Sequence, residues 1–321
     1  VEGRVLFDMT FETALNIASK MNEEKLPAFD DLAKATISEL ANLITAQSVT
    51  KLHDLGFKFD LTPPALFAGE KMENRVVLVT GGASGIGKGM VRMFADRGCQ
   101  VIIFDVQDDK GETLAKELCD QGKKVVYKHV NLFDIDEIKN AYVWIKEQFG
   151  KLDYAMNNAG FGIPAKPLDE CTSEEVNKVI GICLIAVTNC MIEEIKIMKE
   201  NGFGRIVNTT SGAGLLGIKG NSVYCAAKHG VVGVTKAAAL DYATSNITIN
   251  AIAPGTIETE LVNSLKEIAP DAYKQAEESN PSGHLGKPED IANAAVFLCE
   301  DASSFINGVV LPVDSGCVAG K

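Results

Sequence analysis

The sequence lacks the features expected of a membrane, nucleic-acid-binding or metal-binding protein. No apolar run reaches the roughly 18 residues that a spanning helix requires. Acidic residues outnumber basic ones, 43 to 31, and the net charge of −12 argues against nucleic acid or an anionic membrane as a partner. The eight cysteines and four histidines form neither a C-x-x-C pair nor a zinc pattern. We therefore predict no metal site.

The first residues also lack the pattern of a signal peptide, and the cysteines are scattered singly along the chain. Single cysteines of this kind are typical of small core residues in a reducing compartment. We therefore expect a cytoplasmic protein. Aromatic residues make up only 7% of the chain, but 46% hydrophobic content in 321 residues is enough for one large core or two ordinary ones.

Residues 1–72 differ in pattern from the rest of the chain. A strand-like run, GRVLFDM, precedes a helix capped by Thr10, a long amphipathic helix that ends at Gly56, and a short strand. One sheet edge and two helices make a thin core for an independent domain. We predict a small α+β segment over residues 1–72, followed by a second domain over residues 73–321.

Residues 73–321 alternate strand patterns with helical patterns. Short apolar runs such as RVVLVT and QVIIFD have the length and composition of buried parallel strands, and four similar runs follow them. Strands that alternate with helices are typical of crossover connections. The fold class predicted is therefore α/β, with a doubly wound, Rossmann-like parallel sheet of six or seven strands.

A glycine-rich turn, TGGASGIG, joins the first of these strands to a helix. Gly81, Gly85 and Gly87 would let the backbone approach a pyrophosphate, which the amides of the helix N-terminus, including that of Ile86, would bind. Asp105 ends the next strand, 18 residues after Gly87. A carboxylate there can accept from both ribose hydroxyls of an adenosine and repels a 2′-phosphate, which predicts NAD as the cofactor. The alternative for Asp105 is an ordinary turn residue.

Tyr224 and Lys228 lie four residues apart in a helical pattern, which stacks their side chains on one face. The ammonium of Lys228 should lower the pKa of Tyr224 from its usual value of about 10. The phenol could then exchange a proton near neutral pH. Ser211 follows a strand and could offer its hydroxyl to the same reacting oxygen. For this spacing alone, the alternative is a tyrosine and a lysine that face solvent.

Four motifs together resemble the short-chain dehydrogenase/reductases of about 250 residues. They are TGGASGIG, NNAG at 157–160, Ser211 with Tyr224-x-x-x-Lys228, and PGTIET at 254–259. The resemblance covers residues 73–321. It implies that Ser211 holds the substrate oxygen, that Tyr224 is the acid–base, and that Lys228 tunes Tyr224 and binds the nicotinamide ribose. It also implies cofactor contacts from Asn131 and Leu132 (where the family usually has an aspartate at the adenine), from Asn158, Ala159 and Gly160 along the adenosine, and from Pro254, Gly255, Ile257 and Thr259 around the nicotinamide.

One departure from the family concerns proton transfer. The family usually has an asparagine in the helix after EEVNKVIGI, where it holds a water in a relay to the lysine, and Cys183 occupies that place here. A thiol replaces an amide poorly in such a relay. We predict that hydride transfer survives and that proton delivery is slowed or rerouted. A catalytically weak NAD-binding sensor or interaction protein is therefore the alternative function.

The predicted substrate is a neutral secondary alcohol or its ketone. The segment after Thr259, which we expect to form a helical lid, contains no arginine that could hold a phosphate or a carboxylate. The predicted enzyme is an NAD-dependent alcohol dehydrogenase. A reductase of carrier-bound acyl groups is a further alternative, which the acidic net charge and Asp105 disfavour. The resemblance also implies a homo-oligomer, either a dimer or a tetramer, with the helix of Tyr224 at an interface.

Residues 1–70 resemble part of the CheX-type chemotaxis phosphatases. In that family a glutamate and an asparagine on the long helix orient the attacking water, and Glu39 and Asn42 match this pair. The leading strands and helix of that family's domain are absent, and the residues after the pair depart from its glycine-containing sequence. The alternative for the pair is a plain solvated helix face. We expect a role in interaction or oligomerisation in preference to phosphatase activity.

Overall fold

The computed structural model describes residues 11–23, 25–26, 32–40 and 72–320. The chain separates into two compact units, residues 1–69 and 70–321, each with its own buried cluster. Within the described ranges, none of the helices combines the length and the apolar character that crossing a bilayer requires.

The first unit contains a helix over Phe11–Met21 (α1), and residues 32–40 are also helical. The side-chain amide of Asn22 joins the two segments, because it donates to the backbone oxygen of Ala18 at 2.9 Å and to the hydroxyl of Thr36 at 2.8 Å. Both helices agree with the sequence patterns over these residues. The predicted strands, the cap at the start of α1 and the end of the long helix lie outside the described residues.

The second unit is built on a seven-stranded parallel sheet with the order β3-β2-β1-β4-β5-β6-β7. The order reverses between β1 and β4, which places a crevice beyond the carboxyl ends of these two strands. The predicted doubly wound α/β fold is confirmed. The strands are β1 Val76–Thr80, β2 Gln100–Asp105, β3 Lys124–His129, β4 Tyr154–Asn157, β5 Gly204–Thr209, β6 Ile247–Pro254 and β7 Val310–Val313.

Helices connect the strands, as parallel neighbours require. A π-helical turn over Gly181–Ile185 lies between two of them. The helices of this unit are α2 Gly85–Asp96, α3 Asp108–Asp120, α4 Ile135–Phe149, α5 Ser173–Ile180, α6 Ala186–Asn201, α7 Ser222–Asp241, α8 Glu260–Ile268, α9 Pro270–Glu278 and α10 Pro288–Cys299.

Both faces of the sheet are buried. Leu78 belongs to the apolar cluster on one face, while Val77 and Val79 belong to the cluster on the other, and all three side chains are fully buried. A strand that is covered on both faces needs apolar residues at consecutive positions. This is why β1 and β2 can be identified in the sequence as continuous apolar runs.

A buried carboxylate ties the starts of β1 and β4 together. Asp153 is only 5% exposed. Its side chain accepts from the backbone N–H of Val76 at 2.8 Å, and it pairs with Arg75 at 3.0 Å and with Lys151 at 2.9 Å. The start of β4 is therefore held beside the start of β1, and the carboxyl ends of the two strands meet at the crevice.

We expect Asp153→Ala to lower the free energy of unfolding by about 3 kcal/mol, because it leaves a buried N–H and a partly buried Arg75 without their acceptor. Urea titration followed by tryptophan fluorescence measures this change. Trp144 on α4 is the single tryptophan of the chain, so the signal reports the second unit alone. As a control, Asp136→Ala removes a carboxylate that is 89% exposed. Equal unfolding midpoints for the two variants would contradict this role of Asp153.

Candidate active site

The glycine loop lies at the crevice in a conformation that favours glycine. Gly81 and Gly85 have φ angles of +64° and +52°. A Cβ atom on Gly87 would lie 2.1 Å from the backbone oxygen of Gly81. Helix α2 begins at Gly85, so its first amides, including that of Ile86, lack partners within the helix. The loop therefore fits an anionic group such as the pyrophosphate of a dinucleotide.

Asp105 ends β2 directly beside this loop and is 8% exposed. Its Oδ2 atom accepts from the backbone N–H of Ala83 at 3.0 Å, and its Oδ1 atom accepts from those of Val106 and Gln107 at 2.8 and 3.1 Å. These bonds hold the carboxylate in one orientation. Within the described chain Oδ2 accepts a single hydrogen bond, so a hydroxyl group can still reach it.

The segment after β4 lies against β1 because of one threonine. The hydroxyl oxygen of Thr80 accepts from the backbone N–H groups of Asn158 and Ala159 at 3.0 and 3.1 Å. The side-chain amide of Asn158 donates to the backbone oxygens of Thr80 and Gly81 at 3.2 and 3.3 Å. A Cβ on Gly81 would lie 2.9 Å from the Cα of Ala159, so the glycine permits this close approach.

Three polar side chains meet at the other end of the crevice. Lys228 is 3% exposed, and its Nζ atom donates to the backbone oxygen of Thr209, the last residue of β5, at 2.8 Å. The same Nζ lies 5.6 Å from the centre of the Tyr224 ring. The Ser211 side chain is near enough to that of Tyr224 to influence the pKa of Tyr224. The end of β5 and the start of α7 thus bring these groups together.

A cavity of about 980 Å³ runs along the crevice and joins its two ends. Gly87 supports the loop from behind and does not line the cavity. The other predicted site residues all do: Gly81, Gly85, Ile86, Asp105, Asn131, Leu132, Asn158, Ala159, Gly160, Ser211, Tyr224, Lys228, Pro254, Gly255, Ile257 and Thr259.

The expectation that Lys228 makes Tyr224 more acidic is wrong for the protein without cofactor. Burial raises the pKa of Tyr224 to about 12, the nearby Cys183 adds to the rise, and the Ser211 side chain opposes it. Burial also lowers the pKa of Lys228. In the protein without cofactor, the loss of solvent around both groups therefore outweighs any lowering of the Tyr224 pKa by Lys228. The sequence shows the spacing of the pair but not the loss of solvent around it.

Residues 81–318 match the family model described as enoyl-(acyl carrier protein) reductase. This range covers more than half of the chain and holds the loop, Asp105 and the three polar side chains described above. The chain belongs to the short-chain dehydrogenase/reductase family. Members of this family use NAD(P), and the glycine loop and the cavity fit such a cofactor.

Similar proteins support this assignment over the same part of the chain. A cis-4-hydroxycyclohexanecarboxylate dehydrogenase from Sinomonas cyclohexanicum is 38% identical over 251 residues, which are 78% of this chain and 99% of that protein. A 3-oxoacyl-[acyl-carrier-protein] reductase from Thermotoga maritima is 37% identical over 248 residues, 77% of this chain and 99% of that protein. The crystal structure of levodione reductase matches with a TM-score of 0.73 and 36% identity over 78% of this chain and 99% of that one. The chain is thus an oxidoreductase by family.

Residues 1–83 match the family model for the chemotaxis phosphatase CheX. Glu39 of the predicted pair is exposed on the helical segment 32–40. Asn42 lies outside the described residues, so the geometry of the pair stays a prediction.

Cys183 of this short-chain dehydrogenase/reductase lies in the π-helical turn and is fully buried. Its thiol donates to the backbone oxygen of Phe161 at 3.2 Å. A Cβ atom on Gly160 would lie 3.1 Å from the Cys183 sulfur and 3.6 Å from the Lys228 Nζ. The thiol is therefore close to both the cavity wall and the lysine, and its effect on proton delivery stays a prediction.

An ion pair that the sequence analysis missed crosses the cofactor end of the cavity. Lys110 in the first turn of α3 and Glu260 at the start of α8 both line the cavity, and their side chains are 2.8 Å apart. Beside them, a Cβ on Gly85 would lie 3.3 Å from the Thr259 side chain. The Lys110–Glu260 ion pair thus holds the first turn of the predicted lid against the glycine loop. The partners are 150 residues apart in sequence, and no local pattern points to them.

We expect Lys110→Met to release NADH roughly twofold to fivefold faster at low salt, because an exposed ion pair contributes about 0.5–1 kcal/mol. The difference should shrink at high salt, where the pair is screened. Stopped-flow displacement of NADH measures the rate. Arg92→Met is the matched control, since Arg92 pairs with Glu117 at 2.7 Å outside the cavity. The fastening role is contradicted if the two variants release NADH at the same rate.

Proposed function

We propose that the chain is an NAD-dependent alcohol dehydrogenase that interconverts a neutral secondary alcohol and its ketone, with Tyr224 as the general acid and base. The observation that carries this proposal is the single cavity that joins the glycine loop and Asp105 to Ser211, Tyr224 and Lys228. A nicotinamide cofactor in that cavity supplies the hydride acceptor or donor.

The charges at the cofactor end support NAD over NADP. Asp105 would repel a 2′-phosphate, and the two residues after it, Val106 and Gln107, carry no positive charge. Lys110 is the cation among the described lining residues at this end, and its ammonium pairs with Glu260. A 2′-phosphate would therefore be repelled by Asp105 and would have to compete with Glu260 for Lys110.

The other end of the cavity supplies the acid–base chemistry. Ser211 and Tyr224 can both bind the oxygen of the substrate. In the reduction direction Tyr224 donates its proton to that oxygen, and its raised pKa keeps the phenol protonated at neutral pH. In the oxidation direction Tyr224 must first ionise, and its phenolate then accepts the proton from the alcohol. Lys228 is held by the backbone oxygen of Thr209 and, in its ammonium form, stabilises the Tyr224 phenolate.

The cavity lining supports a neutral substrate. Its charged side chains are Asp105, Lys110 and Glu260, which lie at the cofactor end, and Lys228, which is bonded to Thr209. Among the described lining residues, the substrate end therefore presents hydroxyls and apolar groups and no arginine for a carboxylate or a phosphate. A similar protein from an Acinetobacter species is named cyclohexanol dehydrogenase, so we propose a compact cyclic secondary alcohol and choose cyclohexanol as the probe.

Turnover of cyclohexanol separates the proposal from two alternatives, neither of which would oxidise it. The relative from Thermotoga maritima and the family description point to carrier-bound acyl substrates, and such an enzyme would leave cyclohexanol unchanged. The net charge of −12 gives little support to docking of an acidic carrier. A sensor would bind NADH and transfer no hydride.

We also propose that the enzyme assembles as a homo-oligomer through α6 and α7. Leu240 near the end of α7 is 81% exposed. A groove between the two helices is lined largely by apolar groups, including Ile192, Ile195, Val234 and Ala238. A second copy of the chain would cover this surface, since large exposed apolar patches mark interfaces. Light scattering is expected to give the mass of two or four chains, and the mass of one chain would contradict the assembly.

Tyr224→Phe should lower the turnover of cyclohexanol with NAD by about 10²–10⁴-fold, because it removes the proton acceptor and leaves the ring in place. NADH binding should be nearly unchanged, which a fluorescence titration checks. Tyr242→Phe, at the end of the same helix and outside the cavity, is the control. Turnover by Tyr224→Phe at the parental rate would refute the assigned role. NADH binding by the parent without turnover of any secondary alcohol would contradict the proposal and favour one of the two alternatives.

A further inference from the structure

A chain of buried hydrogen bonds lies beside the active site and has no part in the chemistry above. Glu194 on α6 is fully buried. Its Oε1 accepts from the Tyr142 hydroxyl at 2.7 Å, and its Oε2 accepts from the Asn157 side-chain amide at 3.0 Å. The same amide donates to Asn208 at 3.0 Å, and the Asn208 amide donates to the hydroxyl of Thr235 at 2.9 Å.

Three members of this chain belong to the segments that carry the proposed site. Asn157 is the last residue of β4 and directly precedes the segment that lines the cofactor end. Asn208 directly precedes Thr209, whose backbone oxygen holds Lys228. Thr235 lies on α7, two turns beyond Lys228. A shift at Glu194 would therefore reach the cofactor segment, the lysine acceptor and the helix of Tyr224 together.

We propose that Glu194 is a positioning residue for hydride transfer, and that its carboxylate fixes the direction of the hydrogen bonds that hold the ends of β4 and β5 against α7. The inference rests on the dehydrogenase activity proposed above. Glu194 touches neither the cavity nor the reacting groups, so its effect is exerted through Asn157 and Asn208.

The direction of the hydrogen bonds follows from the charge. An ionised carboxylate only accepts, so Tyr142 and Asn157 must both donate to Glu194. Asn157 then presents its amide group to Asn208, which in turn donates to Thr235. This arrangement leaves one atom unsatisfied, because the side-chain oxygen of Asn157 is buried without a partner among the described residues. Such an atom is costly unless a charge-assisted bond compensates for it.

When Glu194 is protonated, its carboxyl group no longer requires the hydrogen bonds through Asn157 and Asn208 to run in this direction. The protonated carboxyl becomes a donor, and the side-chain oxygen of Asn157 lacks a partner among the described residues. If the Asn157 amide turns over, its oxygen accepts from Glu194 and from a turned Asn208, and the hydroxyl of Thr235 becomes the donor. The same side chains thus form two hydrogen-bond patterns of opposite direction, and one proton selects between them.

The surroundings of Glu194 make this proton relevant near neutral pH. Burial raises the pKa of Glu194 to about 7, while its hydrogen bonds to Tyr142 and Asn157 oppose the rise. Its titratable neighbours are Tyr142 from α4 and Cys190 from its own helix, and burial raises the pKa of both, so they stay protonated. The neighbours from β4, β5 and α7 do not titrate: Asn157, Asn208 and Thr235.

The variant Glu194→Gln separates positioning from stability. The pKa of Glu194 is higher in the folded protein than its usual 4.5, so the folded state binds the proton more tightly and loses stability as pH rises from 4.5 through about 7. A neutral glutamine removes this loss. We expect the thermal midpoint of the variant to exceed that of the parent above pH 7 and to approach it as the pH falls.

NADH binding to the full chain, followed by fluorescence across this pH range, tests the positioning role. We compare the NADH dissociation constant of Glu194→Gln with that of the parent as a ratio. This ratio should be near one at low pH and rise to roughly fivefold above pH 7. The rise corresponds to the difference between a charge-assisted and a neutral hydrogen bond. Glu193→Gln is the matched control, because the neighbouring Glu193 is partly exposed and pairs with Lys196 at 2.8 Å. Its ratio should stay near one throughout.

A second variant shows whether the group that titrates is Glu194 or His129. His129 is exposed near the adenosine end, and Asp108 raises its pKa. Tyr142→Phe removes a hydrogen bond that lowers the pKa of Glu194, so the midpoint of the binding profile should move to higher pH. Three results would each overturn the proposal. The midpoint of the binding profile could stay unmoved in Tyr142→Phe, or the ratio of NADH dissociation constants for Glu194→Gln could stay constant with pH. The third is a thermal unfolding midpoint of Glu194→Gln that lies below that of the parent above pH 7. A parent that binds NADH at no pH would instead refute the proposed function, and the inference with it.

Discussion

The buried contact between the Lys228 ammonium and the backbone oxygen of Thr209 determines the geometry of the active site. At 2.8 Å it joins helix α7 to the carboxyl end of β5. A lysine is rarely buried to this extent without an acceptor, because loss of hydration is costly. The strand end supplies that acceptor and so places Tyr224, one turn earlier on α7, beside Ser211. The parallel sheet brings this strand end to the same crevice as the glycine loop of β1.

Burial also decides how the ionisable groups around this contact behave. It raises the pKa of Tyr224 to about 12 and that of Glu194 to about 7, and it lowers the pKa of Lys228. All three shifts favour the neutral form of the group. The protein without cofactor thus holds a protonated phenol at neutral pH.

The sequence was sufficient for the features that repeat locally or follow a motif. Continuous apolar runs predicted the strands, because a doubly wound sheet is buried on both faces, and the glycine spacing located the loop beside Asp105. The spacing of Tyr224 and Lys228 placed them on one helical face. The Lys110–Glu260 ion pair and the polar chain from Glu194 depend on residues far apart in sequence, which only the folded chain brings together. The pKa of Tyr224 depends on solvent exclusion, which no spacing reveals.

Transfer of deuterium tests the central claim most directly. Cyclohexanol labelled at its carbinol carbon is incubated with the protein and NAD, and the reduced cofactor is analysed by mass spectrometry. The account predicts NADH that carries the deuterium, formed by the parent and about 10²–10⁴-fold more slowly by Tyr224→Phe. If the parent binds NAD but labelled NADH forms from neither cyclohexanol nor any other labelled secondary alcohol, the assignment as an alcohol dehydrogenase is contradicted.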